Sequence, residues 1–166
     1  MSARGRGSAA TPALVMLAKA GVHAVVHEFD VDAAAAELGY GRAAALALGV
    51  DEQIVFKTLL ASVDGKPTVA VVPVDGNLSL KGLAAACGGK KAAMLDVTAA
   101  QRLTGYVVGG ISPFGQRTRL PTVLDISAMD HETILVSGGR RGLDVEIPPT
   151  TLVEVLRALV APIRSG

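Results

Sequence analysis

Hydrophobic residues along the chain switch between two spacings, and the switches mark out the elements. Leu14, Val15, Leu17 and Ala18 form one apolar helical face after Thr11-Pro12. Threonine is a good N-cap and proline suits the first helical position. Gly21 is a natural stop. Val22–Phe29 reads as a strand, and Ala33–Leu48 as Ala- and Leu-rich helix that Gly39 and Gly41 can split. Gln53–Val63 and Thr68–Val74 are β-rich runs joined by Asp64-Gly65, a strong hairpin signal. Ser79 caps a helix expected to run through Cys87, and Gly88-Gly89 ends it. Lys90–Met94 reads as a short strand and Thr98–Thr104 as a short helix.

In Gly105–Gln116, GYVVGGISPFGQ, two strand-forming valines, Val107 and Val108, run into Gly109-Gly110. Thr122–Ile126, Thr133–Ser137 and Leu143–Ile147 read as strands, with Ser137–Gly142, SGGRRG, as a second glycine-rich turn. The last helix is expected from about Thr150 to Val160. Leu152, Val155, Leu156, Leu159 and Val160 fall at i, i+3, i+4, i+7 and i+8, the spacing of one buried face. Hairpins dominate the middle, so the expected fold is a mixed α/β domain of α+β type. Its sheet should be largely antiparallel or mixed rather than doubly wound. Met1–Ala10 is expected to be a flexible tail, and residues 11–166 a single domain.

Composition narrows this picture. Half of the 166 residues are hydrophobic but only 3% are aromatic, so Ala, Val, Leu and Ile build the core. A lone cysteine, Cys87, forbids an intrachain disulfide and fits a reducing cytoplasm. Cys87 itself reads as a small buried hydrophobe. No apolar run reaches the roughly 18 residues of a membrane span, and MSARGRGSAA lacks a signal-peptide apolar region. Net charge is +1 but uneven. Ala20–Leu78 carries three basic and eight acidic residues, Ser79–Arg141 eight basic and four acidic. That bias is too small for strong independent binding of nucleic acid, which needs many phosphate contacts.

Candidate chemistry is sparse. GxGxxG after a first strand, GxxxxGK[ST], HExxH, CxxC and GxSxG are all absent, so neither a nucleotide cofactor nor a metal is expected. His23 and His27 share a strand face but lie roughly 13 Å apart, too far to chelate one ion. Lys57 lies within IVFKTLLASV on a face with Val55, Leu59, Ala61 and Val63. Its ammonium must reach a rim or meet an anion, or else it guards an edge strand against aggregation. Glycines such as Gly109 and Gly110 leave backbone N–H groups open to an oxyanion. Ser112 has no evident base nearby, and Asp144 follows the second glycine turn. The pattern suits a reaction driven by positioning and oxyanion stabilisation, and equally a ligand-binding module that does no chemistry.

TPA at Thr11–Ala13, FKTLL at Phe56–Leu60, TGYVVGGISPFGQ at Thr104–Gln116, RLPT at Arg119–Thr122 and SGGRRGLDVE at Ser137–Glu146 together resemble the YbaK/EbsC family. These are aminoacyl-tRNA deacylases related to the editing domain of bacterial prolyl-tRNA synthetase. The resemblance spans about Thr11 to Val160. It implies a curved, barrel-like sheet flanked by helices, no cofactor, and a substrate of cysteine esterified to the CCA end of tRNA(Pro). It also implies a transient complex with prolyl-tRNA synthetase. The family's key lysine matches Lys57, its glycine loop Gly109, Gly110, Ile111 and Ser112, and its aspartate Asp144. Phe29, Thr58 and Pro113 fall among the substrate-binding positions, with Phe29 where relatives often carry tyrosine. A deacylase for another amino acid, such as alanine, and a non-catalytic aminoacyl-binding module are the competing readings.

Overall fold

The computed structural model describes residues 11–32 and 34–166. The expected tail, Met1–Ala10, lies outside the described residues, as does Ala33 at the expected start of the second helix. Helix α1, Pro12–Lys19, is capped as expected: the Leu14 amide donates to Thr11 Oγ1 at 3.2 Å. Its buried residues are Ala13 and Leu17. Strand β1, Val25–Glu28, follows. The alanine-rich stretch splits into α2, Ala34–Leu38, and α3, Tyr40–Leu48. The break is Gly39 at φ 101°.

A 3-10 turn at Glu52–Ile54 leads into the hairpin of β2, Phe56–Val63, and β3, Lys66–Pro73. Asp64 and Gly65 both take positive φ, 49° and 82°, as a two-residue turn matched to strand twist requires. The chain continues through β4 (Asn77–Leu78), α4 (Leu80–Ala86), β5 (Ala92–Met94) and α5 (Val97–Thr104). Ser79 caps α4 and Asp96 caps α5, through the Gly82 and Ala99 amides. After the glycine-rich loop come β6 (Thr122–Asp125), a 3-10 segment at Ile126–Asp130, β7 (Ile134–Arg140) and β8 (Leu143–Ile147). Helix α6 (Pro149–Leu156), β9 (Leu159–Ala161) and β10 (Arg164–Ser165) close the chain.

The architecture is mixed α/β. One sheet has the order β5-β2-β3-β6-β9, antiparallel on the β5-β2-β3 side and parallel from β3 through β9. A second, antiparallel sheet has the order β1-β8-β7. One bridge, Val55 to Leu135, joins them. The sheets therefore curve around a shared core without closing into a barrel. Strand β3 is buried on both faces, which explains its unbroken VAVV run. Val69 and Val71 pack into one core with Leu17, Phe114, Leu124 and Leu152. Ala70 and Val72 pack into another with Leu83, Val123 and Ile163.

Three expectations are corrected. Helix α6 stops at Leu156, because Arg157 turns left-handed at φ 53°. Leu159 and Val160 then pair with β6 as strand β9 instead of extending the helical face. The SGGRRG turn is shorter than expected. Ser137–Arg140 continues β7 across a bulge, and only Arg141-Gly142 turns. Val107 and Val108 form no strand; Val107 is exposed, and the Gly110 amide closes a tight turn onto the Val107 carbonyl at 2.9 Å.

Candidate active site

Strand β5 pairs with β2 only at Ala61–Val63. Between that ladder and the Val55–Leu135 bridge, one edge of β2 carries no strand ladder among the described residues. A cavity of about 620 Å³ opens there, with Lys57 and Thr58 of β2 on its wall. Phe29, just beyond β1, and Asp144 of β8 border the same space. Gly109 and Ile111 reach it from the glycine-rich loop.

Each lining group is held by its local structure. The Phe29 amide donates to the Gly142 carbonyl at 3.0 Å, fixing it to the β7–β8 turn. Lys57 sits opposite Val72 and is half-buried. Desolvation, helped by the nearby Arg42 guanidinium, holds its ammonium below the ordinary lysine range, and Asp75 opposes the shift. Thr58 is buried, and its Oγ1 has no hydrogen-bond partner among the described residues. A buried hydroxyl without a partner is uncommon, and this one belongs to a residue of the cavity wall. Asp144 lies opposite Ser137 on one side and His27 on the other, and is 7% exposed. Burial alone pushes its carboxyl up to about 7.

The glycine-rich loop divides between two jobs. Tyr106 donates its hydroxyl to the Phe114 carbonyl at 2.6 Å, and burial raises that phenol to about 12. Ser112 is fully buried. Its Oγ accepts from the Phe114 amide, and its carbonyl accepts from Gln116 Nε2. Gly110 is packed against β7, where a Cβ would stand 2.7 Å from the Arg140 backbone. Its amide is committed to Val107. Pro113 faces a smaller pocket on the other side, with Met16 and Gly115. Of the loop positions expected at the site, Gly109 and Ile111 reach the cavity, whereas Gly110, Ser112 and Pro113 support them from behind. No acceptor is present for the Gly109 and Ile111 amides among the described residues.

Sequence reading missed Tyr40, Arg42, Asp75 and Arg141. The first three line the cavity, and Arg141 lies with its Cζ 4.6 Å from the Tyr40 ring centroid. Gly39-Tyr40-Gly41 was the available signal, an aromatic between glycines in a chain with only two tyrosines. Tyr40 brings into the cavity a phenol of the kind that Phe29 lacks. None of His23, His27, His131 and Cys87 lines it. His27 pairs instead with Glu146 at 2.9 Å. Among the described residues no group of three or more His, Cys, Asp or Glu could hold a metal ion.

Residues 33–155 match the family described as the aminoacyl-tRNA editing domain. The chain belongs to this family. It is a deacylase that acts on aminoacyl-tRNA. This editing domain is 39% identical over 118 residues to the Enterococcus faecalis protein named "Putative Cys-tRNA(Pro)/Cys-tRNA(Cys) deacylase EbsC", covering 70% of this chain and 71% of that one. Among solved structures it resembles the hypothetical protein APE2540, with a TM-score of 0.81 and 25% identity over 93% of this chain and 99% of that one. A structure described as "a putative trans-editing enzyme for prolyl tRNA synthetase" gives 0.81 at 23% identity, covering 100% of this chain and 99% of that one. At these identities what the two structures share with the editing domain is its fold. No helix among the described residues is long and apolar enough to cross a membrane.

Proposed function

We propose that this editing domain removes cysteine from mischarged Cys-tRNA(Pro), with Cys-tRNA(Cys) as a second substrate, and that the substrate's own thiol is the nucleophile. The observation that carries this reading is the lining of the cavity. It holds Lys57 and Arg42, the aspartates Asp75 and Asp144, and the hydroxyl-bearing Tyr40, Thr58 and Ser137, but among the described residues no cysteine, histidine or glutamate. An aminoacyl ester is already activated, so a reaction without a protein nucleophile needs mainly positioning and charge stabilisation.

In this mechanism the thiol sulfur bonds to the ester carbonyl carbon. The carbonyl oxygen becomes an oxyanion beside the Gly109 and Ile111 amides, whose place in the cavity supports that role. Collapse breaks the carbon–oxygen bond to the ribose, and the thiol proton ends on the departing ribose hydroxyl. A four-membered cyclic thioester leaves, and water opens it to free cysteine. Lys57 anchors the ribose of the 3′-terminal nucleotide, Thr58 supplies a hydrogen bond to the ester end, and Phe29 and Asp144 bound the space for the aminoacyl group. Gly110, Ser112 and Pro113 act by holding the loop. Loading of tRNA(Pro) is assigned to a transient complex with prolyl-tRNA synthetase, because this chain's charge bias is small.

The test is a deacylation panel with Cys-, Ala- and Ser-tRNA(Pro). Cysteine should be cleared fast, and alanine and serine slowly, because neither carries a thiol. If alanine is cleared as fast as cysteine, an activated water replaces the thiol in the mechanism. If none is cleared, the chain binds aminoacyl ends without turnover.

A further inference from the structure

Two cations line the cavity, Lys57, half withdrawn from water, and Arg42, and a third stands at the mouth. Arg141 occupies the β7–β8 turn and is exposed. Two contacts nevertheless fix its orientation. Its guanidinium lies over the Tyr40 ring, and its Nε donates to the Val108 carbonyl at 2.8 Å. Tyr40 is held in turn by the loop, since a Cβ on Gly109 would sit 2.5 Å from its ring. Val108, Gly109, Tyr40 and Gly142 all line the cavity, so the stack forms part of its rim.

The neighbouring cations are occupied. Arg140 pairs with Glu28 at 2.7 Å, and Arg42 with Glu52 at 3.5 Å. Among the described residues Arg141 has no carboxylate within ion-pair distance. An exposed arginine normally samples many rotamers, so this one is preorganised without an anionic partner in its own chain. A guanidinium held over an aromatic ring offers a planar group on which a nucleobase can stack. Its terminal N–H groups remain available to a phosphate oxygen.

We propose that Arg141, held over the Tyr40 ring, is the docking subsite for the single-stranded 3′ end of the tRNA. A terminal base stacks on the guanidinium face, and a backbone phosphate accepts from its terminal nitrogens. Arg141 thereby positions the acyl end inside the cavity and takes no part in ester cleavage. This inference rests on the substrate being an acylated tRNA, and is independent of which amino acid it carries.

The probe is a fluorescently labelled RNA oligonucleotide ending in CCA, titrated by anisotropy at several salt concentrations against wild type, Arg141→Met, Arg141→Lys and Tyr40→Leu. Arg141→Met should weaken binding about tenfold and lower the slope of log affinity against log salt by about 0.7, the value for one phosphate contact on a single strand. Arg141→Lys should keep the slope but lose most of the affinity. Tyr40→Leu should behave like Arg141→Lys, because the charge stays while the platform is lost. Cleavage of cysteine methyl ester, which has no nucleotide, should be unchanged in Arg141→Met. Unaltered affinity and slope in Arg141→Met would overturn the proposal, and so would an equal loss on the methyl ester or an absence of CCA binding by wild type. A wild-type enzyme that clears alanine as fast as cysteine would refute the thiol mechanism yet leave this comparison intact.

Discussion

Asp144→Asn separates the burden that the buried acid places on the fold from its service to the site. The Asp144 carboxyl is pushed up to about 7 from an ordinary value of 3.8, and burial is the cause. The difference is about three pH units, which at 1.36 kcal/mol per unit amounts to roughly 4 kcal/mol. Because the folded value is raised, the folded protein binds this proton more tightly than the unfolded chain does. The stability gained is complete below about pH 4 and is lost as pH rises through about 7. Urea unfolding of wild type and Asp144→Asn, compared at steps from pH 4 to pH 8.5, reads this directly. Asparagine stays neutral, so the difference curve cancels the other carboxylates. The variant should gain on wild type by about 1.4 kcal/mol per pH unit across the window and level off above pH 7, where it is the more stable protein. Its deacylase activity should nevertheless fall, since the acid borders the cavity. A flat difference curve between pH 4 and pH 8.5 would refute the reasoning, because Asp144 would then titrate alike in both states.

Tyr106→Phe removes the donor to the buried Phe114 carbonyl and should destabilise the protein by about 1–2 kcal/mol. Thermal unfolding should then fall by about 3–6 °C, and an unchanged midpoint would mean that this bond is not what pins the loop. Gly109→Ala meets both a φ of +88° and a ring atom 2.5 Å from the new Cβ. It should lose at least about 1–2 kcal/mol of stability from the left-handed backbone alone, and kcat/KM should drop at least tenfold as Tyr40 is displaced. Lys57→Ala should lower kcat/KM on Cys-tRNA(Pro) by about 10–100-fold, the range for one charge-assisted hydrogen bond. Near-normal deacylation by that variant would remove the anchoring role.

Elements whose ends carry their own chemistry were legible in the sequence. Thr11-Pro12, Asp64-Gly65 and Ser79 each specify a cap or turn within four residues, and the structure uses all three. Features set by distant partners were not legible. Leu156 and Leu159 are apolar at helical spacing, yet the chain turns at Arg157 because β6 offers Leu159–Ala161 a parallel edge. Ser137-Gly138-Gly139 resembles a turn, but pairing with β8 across a bulge keeps it in the strand. The site shows the same division. Lys57, Thr58 and Asp144 fell on a strand or after a turn, and the cavity includes all three. Ser112 was expected at the site with the loop glycines. The structure buries it, because its hydroxyl is used by the Phe114 amide two residues on. Tyr40 and Arg141 stand 101 positions apart, and only the folded chain brings guanidinium and ring together.

The unpaired edge of β2 also fixes when an active enzyme can first exist during synthesis. The β2–β3 hairpin can form as soon as it leaves the ribosome, since its pairing is local. The cavity wall, in contrast, runs from Phe29 to Asp144. The sheet that carries Asp144 pairs β1, from the first thirty residues, with β8 near the end. No nascent chain shorter than about β8 contains the whole wall, and Phe29 waits on Gly142 for its hydrogen bond. Lys57 and its apolar neighbours thus spend most of translation beside an open strand edge, the interval in which this protein depends most on shielding from other chains.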